Sequence, residues 1–291
     1  MKTKTIGDVT IDTIWESGGP YQVPENVYPD VTPEIVERHR PWMIESCMEE
    51  ATGFLIFAFQ SYLIRTPRHT ILVDCCVGED KERPHRPNWH QKKWPWMANL
   101  LAAGITPEDI DFVMCTHLHV DHVGWNTQLK DGRWVPTFPN ARYIFAASEY
   151  EYWKGAIAEQ DWIRDAFNDS VLPVVEAGRA DLVASDHEIE TGLWLEPAPG
   201  HTPGAVVLNL EAGGDKAIFT GDMMHHALQV PEPQLSTIFC SDPVQSAKTR
   251  TEFLQKNADT GNLILPAHFP GESAGRIVSR GDCCMFEFDK S

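Results

Sequence analysis

The sequence predicts an α/β fold in which helices cover β-sheets. Short apolar runs typical of strands recur along the 291-residue chain, and most of them are followed by a polar turn. Residues 56–65 and 69–74 are expected to pair as a hairpin with its turn at 66–68. Because each sheet must bury its apolar faces, strands interspersed with helices favour packed layers. The other predicted strands are 111–115, 142–145, 193–196, 205–210, 216–220 and 262–265.

Three helix starts are marked by an N-cap residue followed by proline. Thr32, Thr106 and Asp242 each precede a proline, which is favoured at the first helical position because the missing N–H has no partner there. Gln245, three residues after Asp242, predicts a capping box at the third start. We expect residues 1–291 to form a single domain, since α/β folds of this length are often one compact unit.

Two segments, at about residues 18–50 and 79–98, fit this alternation poorly. The first is rich in proline and glutamate, and the second contains Trp89, Trp94 and Trp96 among charged residues. We expect both to run over the surface and to cover a substrate site. Ordinary core packing is the alternative.

Charge and composition argue against several kinds of partner. Lys and Arg total 24 against 42 Asp and Glu, so the formal charge of −18 repels the phosphates of nucleic acids. No run approaches the roughly 18 apolar residues of a membrane span, and no signal-peptide pattern is present. The seven cysteines lack CxxC spacing and include two adjacent pairs, which is typical of reduced thiols. We therefore expect a cytoplasmic protein that binds neither nucleic acid nor membranes.

The segment Thr116-His-Leu-His-Val-Asp-His122 places three imidazoles and a carboxylate directly after a predicted strand. In extended backbone His117 and His119 point to the same side, so both can bind one metal ion. Asp121 and His122 then turn toward a second position. Exposed loop histidines are the alternative, but this density of histidine favours a metal site.

Three later motifs also place candidate ligands after predicted strands. His201 lies in Pro199-Gly-His-Thr-Pro-Gly204, whose glycine and proline residues indicate a tight turn. Asp222 follows a Thr-Gly pair, and His268 follows a Pro-Ala pair. Each motif alone is more typical of a turn or of a hydrogen-bonding residue. Their combination and order favour ligands of the same metal centre.

Together, HLHVDH, GHTPG, TGD and PAH resemble the metallo-β-lactamase-fold hydrolase superfamily over about residues 55–270. The resemblance implies the metallo-β-lactamase fold, an αββα sandwich of two mixed β-sheets flanked by helices. Zn²⁺ suits imidazole and carboxylate ligands, with Fe, Mn or Co as alternatives. The implied ligands are His117, His119 and His201 for one metal, Asp121, His122 and His268 for the other, and Asp222 as the bridge.

The expected reaction is hydrolysis. Two cations about 3.5 to 4 Å apart can share a bridging hydroxide, since they lower the pKa of bound water from about 16 toward 7. Asp121 and Asp222 are the carboxylates expected to take part in catalysis. Asp74 resembles the family's residue that supports the ligands from behind, with a strand-terminal turn as its alternative role. Flavodiiron oxidoreductases carry a glutamate in place of the second histidine, so His119 argues against them.

Within the superfamily, HLHVDHVGWN and the chain length resemble the branch of acyl-homoserine-lactone lactonases and methyl parathion hydrolases. The lactonases carry a tyrosine three residues after the bridging aspartate, where this chain has His225, followed by His226. His225 is therefore our candidate for protonating a departing alkoxide, with a structural role as the alternative. Ten tryptophans and 13 phenylalanines favour an aromatic-lined site. We predict hydrolysis of a small-molecule ester, foremost a lactone, by a protein that the resemblance implies to be a homodimer.

Three alternative functions stay open. Phosphotriester (organophosphate) hydrolysis suits the same metal site. A glyoxalase II-like thioesterase shares THxHxDH and GHTPG, but the basic glutathione-binding tail of that group is not evident here. A metal-dependent binding module without catalysis is the third, although structural zinc sites usually have four Cys or His ligands and no oxygen ligands.

Overall fold

The computed structural model describes residues 3–156, 161–271 and 273–289. The chain divides into two compact units, one formed by residues 1–17 and 59–187 and the other by residues 18–58 and 188–291. The larger part of each unit is built on a seven-stranded mixed sheet. Mixed sheets with intervening helices confirm the predicted fold class.

The first sheet has the strand order β1-β2-β3-β4-β5-β8-β9. Its neighbours β4, β5, β8 and β9 run parallel, whereas β3 and β4 form an antiparallel pair. A two-stranded ribbon, β6 with β7, lies outside the sheet. The bounds are β1 (Lys4–Ile6), β2 (Val9–Gln22), β3 (Leu55–Arg65), β4 (Thr70–Val73), β5 (Phe112–Met114), β6 (Thr127–Lys130), β7 (Arg133–Pro136), β8 (Arg142–Ala146) and β9 (Ala180–Val183).

The second sheet has the order β10-β11-β12-β13-β14-β15-β16. Its neighbouring strands pair antiparallel except β13 with β14, which are parallel. The bounds are β10 (Glu188–Glu190), β11 (Leu193–Pro197), β12 (Val206–Ala212), β13 (Asp215–Gly221), β14 (Leu263–Pro266), β15 (Gly275–Arg280) and β16 (Cys283–Phe288).

Seven α-helices are described, most of them short. A π-helical turn at residues 167–171 joins two of them, and 3-10 turns occur at 107–109, 124–126 and 227–229. Among the described residues, none of the helices is long and apolar enough to cross a membrane. The bounds are α1 (Pro24–Val27), α2 (Pro33–Met43), α3 (Trp96–Ala102), α4 (Ala147–Ala156), α5 (Asp161–Ala166), α6 (Leu172–Glu176) and α7 (Pro243–Asn257).

The predicted hairpin and the six further predicted strands are confirmed to within two residues at their ends. Two of the three predicted helix starts are also confirmed, because α2 follows Thr32 and α7 follows Asp242. Thr106 instead caps a single 3-10 turn, which ends just before β5 begins at Phe112. The predicted capping-box role of Gln245 is wrong, since its side-chain amide donates to Thr249 Oγ1 at 3.0 Å.

Much of the segment at 18–50 belongs to the core of the second unit. It contains the end of β2 and helices α1 and α2, and Val27, Tyr28, Met43 and Cys47 are fully buried. The packing alternative therefore describes these side chains. Within α2, the buried residues Val36, His39 and Met43 lie at helical spacing and form one face of the helix.

Tryptophans of the segment at 79–98 likewise pack inside the first unit. Trp96 is fully buried and stacks on Trp125 with ring centroids 4.9 Å apart, while its indole N–H donates to Ser61 Oγ at 3.0 Å. Trp89 meets the ring of Phe59 edge-on at 5.5 Å. For Trp96, the stacking covers the apolar face of the indole, and the bond to Ser61 gives the buried N–H an acceptor.

Candidate metal centre

The histidine-rich loop of the first unit begins where β5 ends. Because β4 and β5 are parallel, the segments that follow them emerge at the same sheet edge. Within the loop, the rings of His117 and His122 have centroids 4.0 Å apart, and those of His117 and His119 are 4.7 Å apart. Candidate ligand atoms of Asp121 and His122 also lie within 4.8 Å of each other. The structure thus brings together the four predicted ligands of this unit.

Asp74 supports this loop from behind, as predicted. Its Oδ1 accepts the Thr116 N–H at 2.7 Å and its Oδ2 accepts the Thr116 hydroxyl at 2.8 Å. The same Oδ2 lies 2.8 Å from His122 Nδ1. Asp74 adopts a left-handed backbone with φ of 57°, a conformation that aspartate tolerates better than most residues. One carboxylate therefore fixes the first turn of the loop and one of its histidines.

A pair of glycines holds the far end of the loop against residues 75–78. Gly124 N–H donates to the Cys76 carbonyl at 2.8 Å. A Cβ at Gly124 would lie 1.9 Å from the Val77 carbonyl oxygen, and one at Gly78 would lie 2.7 Å from the Gly124 carbonyl carbon. Both positions require glycine because main chain contacts main chain there.

Glu16 lies beneath the same contact. Its carboxylate accepts the N–H groups of Val77 and Gly78, both at 3.0 Å, and the indole N–H of Trp125 at 2.8 Å. Burial raises the pKa of Glu16 to about 8, although these three donors act in the opposite direction. The Glu16 side chain therefore links β2 to residues 77 and 78 and to Trp125, next to the end of the histidine-rich loop.

The second unit brings His201, Asp222 and His268 together. Since β13 and β14 are parallel and Gly221 pairs with Pro266, the residues that follow both strands lie side by side. His201 Nε2 lies 3.2 Å from Asp222 Oδ2, and His268 Nε2 lies 3.0 Å from Asp222 Oδ1. All three side chains are buried. Asp222 thus has a predicted histidine ligand beside each of its carboxylate oxygens.

The turn that carries His201 is held by the segment before α7. Gly200 has φ of +132°, and a Cβ there would lie 2.2 Å from the Ser246 nitrogen. Two main-chain hydrogen bonds join the segments, from Ser241 N to His201 O at 2.8 Å and from Asp242 N to Gly200 O at 2.9 Å. Glycine is needed at position 200 for both its backbone angle and its missing side chain.

His225 and His226 have different surroundings. His225 Nε2 lies 3.1 Å from Asp222 Oδ2, and neither of its ring nitrogens has a well-aligned hydrogen bond among the described residues. His226 has both ring nitrogens occupied, because Nε2 donates to the Cys47 carbonyl at 2.8 Å and Nδ1 accepts the Leu228 N–H at 3.2 Å. His226 is therefore structural, while His225 faces the candidate ligands of its unit.

Four of the candidate histidines share one arrangement that suits metal ligation. In each, Nδ1 lies beside a hydrogen-bonding partner. A histidine ligand of this kind is oriented by the group that accepts its second N–H. The partners are Thr116 Oγ1 for His117 (3.1 Å), Asp74 Oδ2 for His122 (2.8 Å), Cys240 Sγ for His201 (3.7 Å) and the Ala58 carbonyl for His268 (2.9 Å).

Electrostatics within the second unit also favour a cation. Burial lowers the pKa of His201, but the Asp222 charge and hydrogen bonds to Asp222 and Cys240 outweigh burial and raise the pKa to about 9. Burial lowers the pKa of His225 to about 4 despite the same carboxylate. For Cys240, contacts with His201 outweigh the effect of burial and lower the thiol pKa to about 7. The buried Asp222 carboxylate thus stabilises a positive charge on His201, and the same carboxylate would stabilise a metal ion.

Three supporting residues carried no signal in the sequence pattern. Nothing in the sequence sets Cys240 apart from the other six cysteines, yet its sulfur lies 3.7 Å from His201 Nδ1. Gln229 Oε1 accepts the His225 N–H at 2.7 Å and the Tyr28 hydroxyl at 3.3 Å. Glu16 lies in β2, a strand that the apolar pattern did not predict. All three act through contacts between distant positions.

A shallow cleft lies beside the loop in the first unit. It is lined by Arg83, Pro84, His85, Arg86, Val120 and Asp165, and Val120 sits between two candidate ligands. Arg83 is fixed by two hydrogen bonds to the Asp169 carboxylate, at 2.6 and 2.9 Å.

Lys81, near this cleft in sequence, is completely buried. Its Nζ donates to Thr127 Oγ1 at 2.7 Å and lies 3.6 Å from the centre of the Trp134 ring. Burial lowers the pKa of Lys81 to about 7, although Asp169 acts in the opposite direction.

Curated relatives match parts of the chain. An N-acyl homoserine lactonase of Bacillus cereus is 27% identical over 163 residues, which cover 52% of this chain and 57% of that protein. A second N-acyl homoserine lactonase, of a Bacillus species, is 30% identical over 112 residues, covering 38% of this chain and 37% of the relative. The matched regions thus span about half the length of these relatives or less.

Solved structures match almost the whole chain. A hydrolase of the beta lactamase superfamily, AbOPH, has a TM-score of 0.83 at 22% identity, covering 99% of this chain and 97% of its own. AidC, a dizinc quorum-quenching lactonase in complex with a product, has a TM-score of 0.80 at 19% identity, covering 100% of this chain and 97% of its own. These similarities show a shared fold. The family model of the metallo-beta-lactamase superfamily matches residues 60–268, well over half of the sequence, and the chain therefore belongs to this superfamily.

Proposed function

We propose that the chain is a hydrolase that holds two divalent metal ions and opens a small lactone or cleaves a related ester. The observation that carries the proposal is the shared arrangement of four histidines, each oriented by a hydrogen-bonding partner beside Nδ1, as histidine ligands of metals are. In this proposal the first ion binds His117, His119 and His201, the second binds Asp121, His122 and His268, and Asp222 binds both.

Zn²⁺ is the proposed resident ion, because the donor set combines imidazoles with carboxylates and contains no thiolate ligand. When bound, such a pair of ions makes a water molecule acidic near neutral pH and polarises the substrate carbonyl. The side chains of Asp74 and Thr116 keep their histidines in the tautomer that a ligand requires.

The carboxylates and His225 supply the proton-handling groups. Asp121 and Asp222 accept hydrogen bonds from the attacking water and hold it for addition to the carbonyl carbon. His225, which is neutral at rest because burial lowers its pKa to about 4, takes a proton from the attacking water and passes it to the alkoxide that departs when the ring opens. Its main chain is fixed by Gln229 at 2.7 Å, so the imidazole keeps one position relative to Asp222.

A neutral lactone is the favoured substrate class. The curated relatives are N-acyl homoserine lactonases, and the dizinc lactonase AidC has the same fold. The cleft beside Val120 is where we place contacts with the acyl portion, because it adjoins two proposed ligands. His225 stands where such lactonases carry tyrosine, so the lactone ring need not be that of homoserine.

Metal analysis combined with a substrate panel tests the proposal. Purified full-length protein should contain close to two metal ions per chain, lose hydrolysis on chelation and recover it with Zn²⁺. The panel compares γ- and δ-lactones, aryl esters, thioesters and phosphotriesters at equal concentration. Highest kcat/KM for lactones supports the proposal, whereas preference for phosphotriesters or thioesters assigns one of those activities instead. Full metal occupancy without turnover of any class would indicate a binding module.

Two expectations about organisation belong to the same proposal. We propose that residues 1–291 act as one domain and that the protein is a homodimer. A single cooperative calorimetric transition and a molar mass of twice the 32.8 kDa chain by light scattering would support them. Two separate transitions, or a monomeric mass, would contradict the respective expectation.

A further inference from the structure

We propose that Cys240 is a positioning residue for His201, whose Nδ1–H it accepts on sulfur so that Nε2 is directed at the metal. The inference rests on the proposed function, since it requires His201 to be a metal ligand. Cys240 itself does not contact the metal in this proposal.

The contact has the geometry that this role requires. Cys240 Sγ lies 3.7 Å from His201 Nδ1, within the range of hydrogen bonds to sulfur, while Asp222 lies 3.2 Å from Nε2 on the opposite side of the ring. A neutral imidazole that gives the Nε2 lone pair to a metal must carry its proton on Nδ1. The sulfur is therefore placed to accept that proton and to select the tautomer.

The sulfur is itself held in place by two hydroxyl groups. Thr237 Oγ1 and Ser246 Oγ each lie 3.5 Å from Cys240 Sγ. The main chain of the next residue, Ser241, donates to the His201 carbonyl at 2.8 Å. Side chain and main chain thus connect residues 240 and 241 to the same histidine, which fixes both the position and the rotation of its ring.

The other three histidines of the shared arrangement have oxygen partners. Cys240 differs because sulfur is a weaker and longer-range acceptor than a carboxylate or a carbonyl oxygen. Loss of an outer partner of this kind typically lowers metal affinity or activity about 10- to 100-fold. His201 should therefore depend measurably on the sulfur, even though nothing in its own sequence motif indicates so.

The test compares full-length Cys240→Ala and Cys240→Val, which remove the acceptor, with Cys240→Ser, which replaces it. Zn²⁺ affinity is measured by competition with a chromophoric chelator, and the visible absorption of Co²⁺-loaded protein reports ligand geometry. We expect Cys240→Ala to lose about 10- to 100-fold in affinity and to shift the Co²⁺ bands, and Cys240→Ser to recover part of both. The melting temperature of metal-free protein separates these effects from a general loss of packing.

A matched control accompanies the test. Cys284→Ala removes a thiol on β16. It should keep wild-type affinity and Co²⁺ bands. Cys240→Val, which fills the space of the thiol without supplying an acceptor, decides the matter if Cys240→Ala does not fold.

The outcomes distinguish this inference from the proposed function. Wild-type protein that binds no divalent ion overturns the proposed function and the inference with it. Wild-type protein that binds Zn²⁺, together with unchanged affinity and Co²⁺ bands in the folded variants without an acceptor, overturns the inference alone.

Discussion

Asp74 Oδ2 lies 2.8 Å from Nδ1 of His122, and the same carboxylate accepts two hydrogen bonds from Thr116. Hydrogen bonds to an ionised acceptor are roughly twice as strong as those between neutral groups. His122 therefore has a charged partner, whereas the hydroxyl beside His117 and the carbonyl beside His268 are neutral. The histidines of the candidate centre thus differ in how strongly they are supported.

Asp74→Asn should lower metal affinity about 10- to 100-fold, because the amide replaces the charged acceptor behind His122. Chelator competition measures the change. Asp111→Asn is the matched control, since Asp111 Oδ2 accepts the Thr70 N–H at 2.8 Å at the other end of the same strand pair. Equal affinities of the two variants would contradict the supporting role of Asp74.

His119→Ala and Asp222→Ala should each reduce kcat/KM by more than about 100-fold, beyond the loss typical of supporting residues. The first removes a proposed ligand of one ion, and the second removes the ligand that both ions are proposed to share. Metal content is measured on the same samples as lactone hydrolysis. His187→Ala, directly before β10 and outside the proposed site, is the control. Near wild-type turnover with full metal content in either variant would refute the ligand assignment.

His225→Ala should slow substrates with poor leaving groups far more than those with good ones. General acid catalysis contributes about 100-fold or more when the departing oxygen needs a proton and little when it leaves as a stable anion. A plot of log kcat against leaving-group pKa for an ester series measures this as a steeper slope in the variant. Parallel lines for variant and wild type would reject proton donation by His225.

The free energy of unfolding should fall in acid because of His226. Burial lowers its folded-state pKa from 6.5 to about 4, so the unfolded chain binds the proton first as the pH falls. This contribution is fully present above pH 6.5 and is lost as the pH falls through 4, and it amounts to at most about 3 kcal/mol. Urea unfolding of metal-free wild type and His226→Gln across this range measures it. The same pH slope in both proteins would contradict the assignment.

Lys81 should make unfolding depend on pH on the alkaline side. Its folded-state pKa is lowered from 10.5 to about 7, so the unfolded chain binds more protons between these values and stability rises with pH across them. Lys81→Met should show a smaller rise between pH 7 and 9 than wild type in urea unfolding. Lys154→Met, at an exposed lysine, should behave like wild type. A rise of equal size in Lys81→Met would show that Lys81 is not the cause.

Local patterns predicted the elements that depend on neighbouring residues. The spacing of His117 and His119 and the apolar run before them were sufficient to predict the loop, and the proline at position 33 was sufficient to predict the start of α2. The proline at position 107 gave only a 3-10 turn, because Asp111 N already pairs with the Thr70 carbonyl and the strand begins at once. A local propensity gives way where a long-range strand pairing competes with it.

Long-range contacts were beyond the reach of such patterns. Cys240 is 39 positions from His201, and Gln229 is 201 positions from Tyr28. Short-range spacing patterns do not predict contacts between residues so far apart in sequence, because such contacts form only when the whole chain has folded. Glu16 was missed for a local reason as well, since β2 alternates weakly and contains two adjacent glycines near its end.

The main-chain contact between Gly124 and Val77 gives a criterion for comparing relatives. A methyl group at position 124 would overlap the Val77 carbonyl, so an alanine there would force the backbone to move. A homologous chain with any larger residue at this point must route its histidine loop along another path. Libraries aimed at new substrates would accordingly keep both glycines and vary the cleft residues at 84–86 instead.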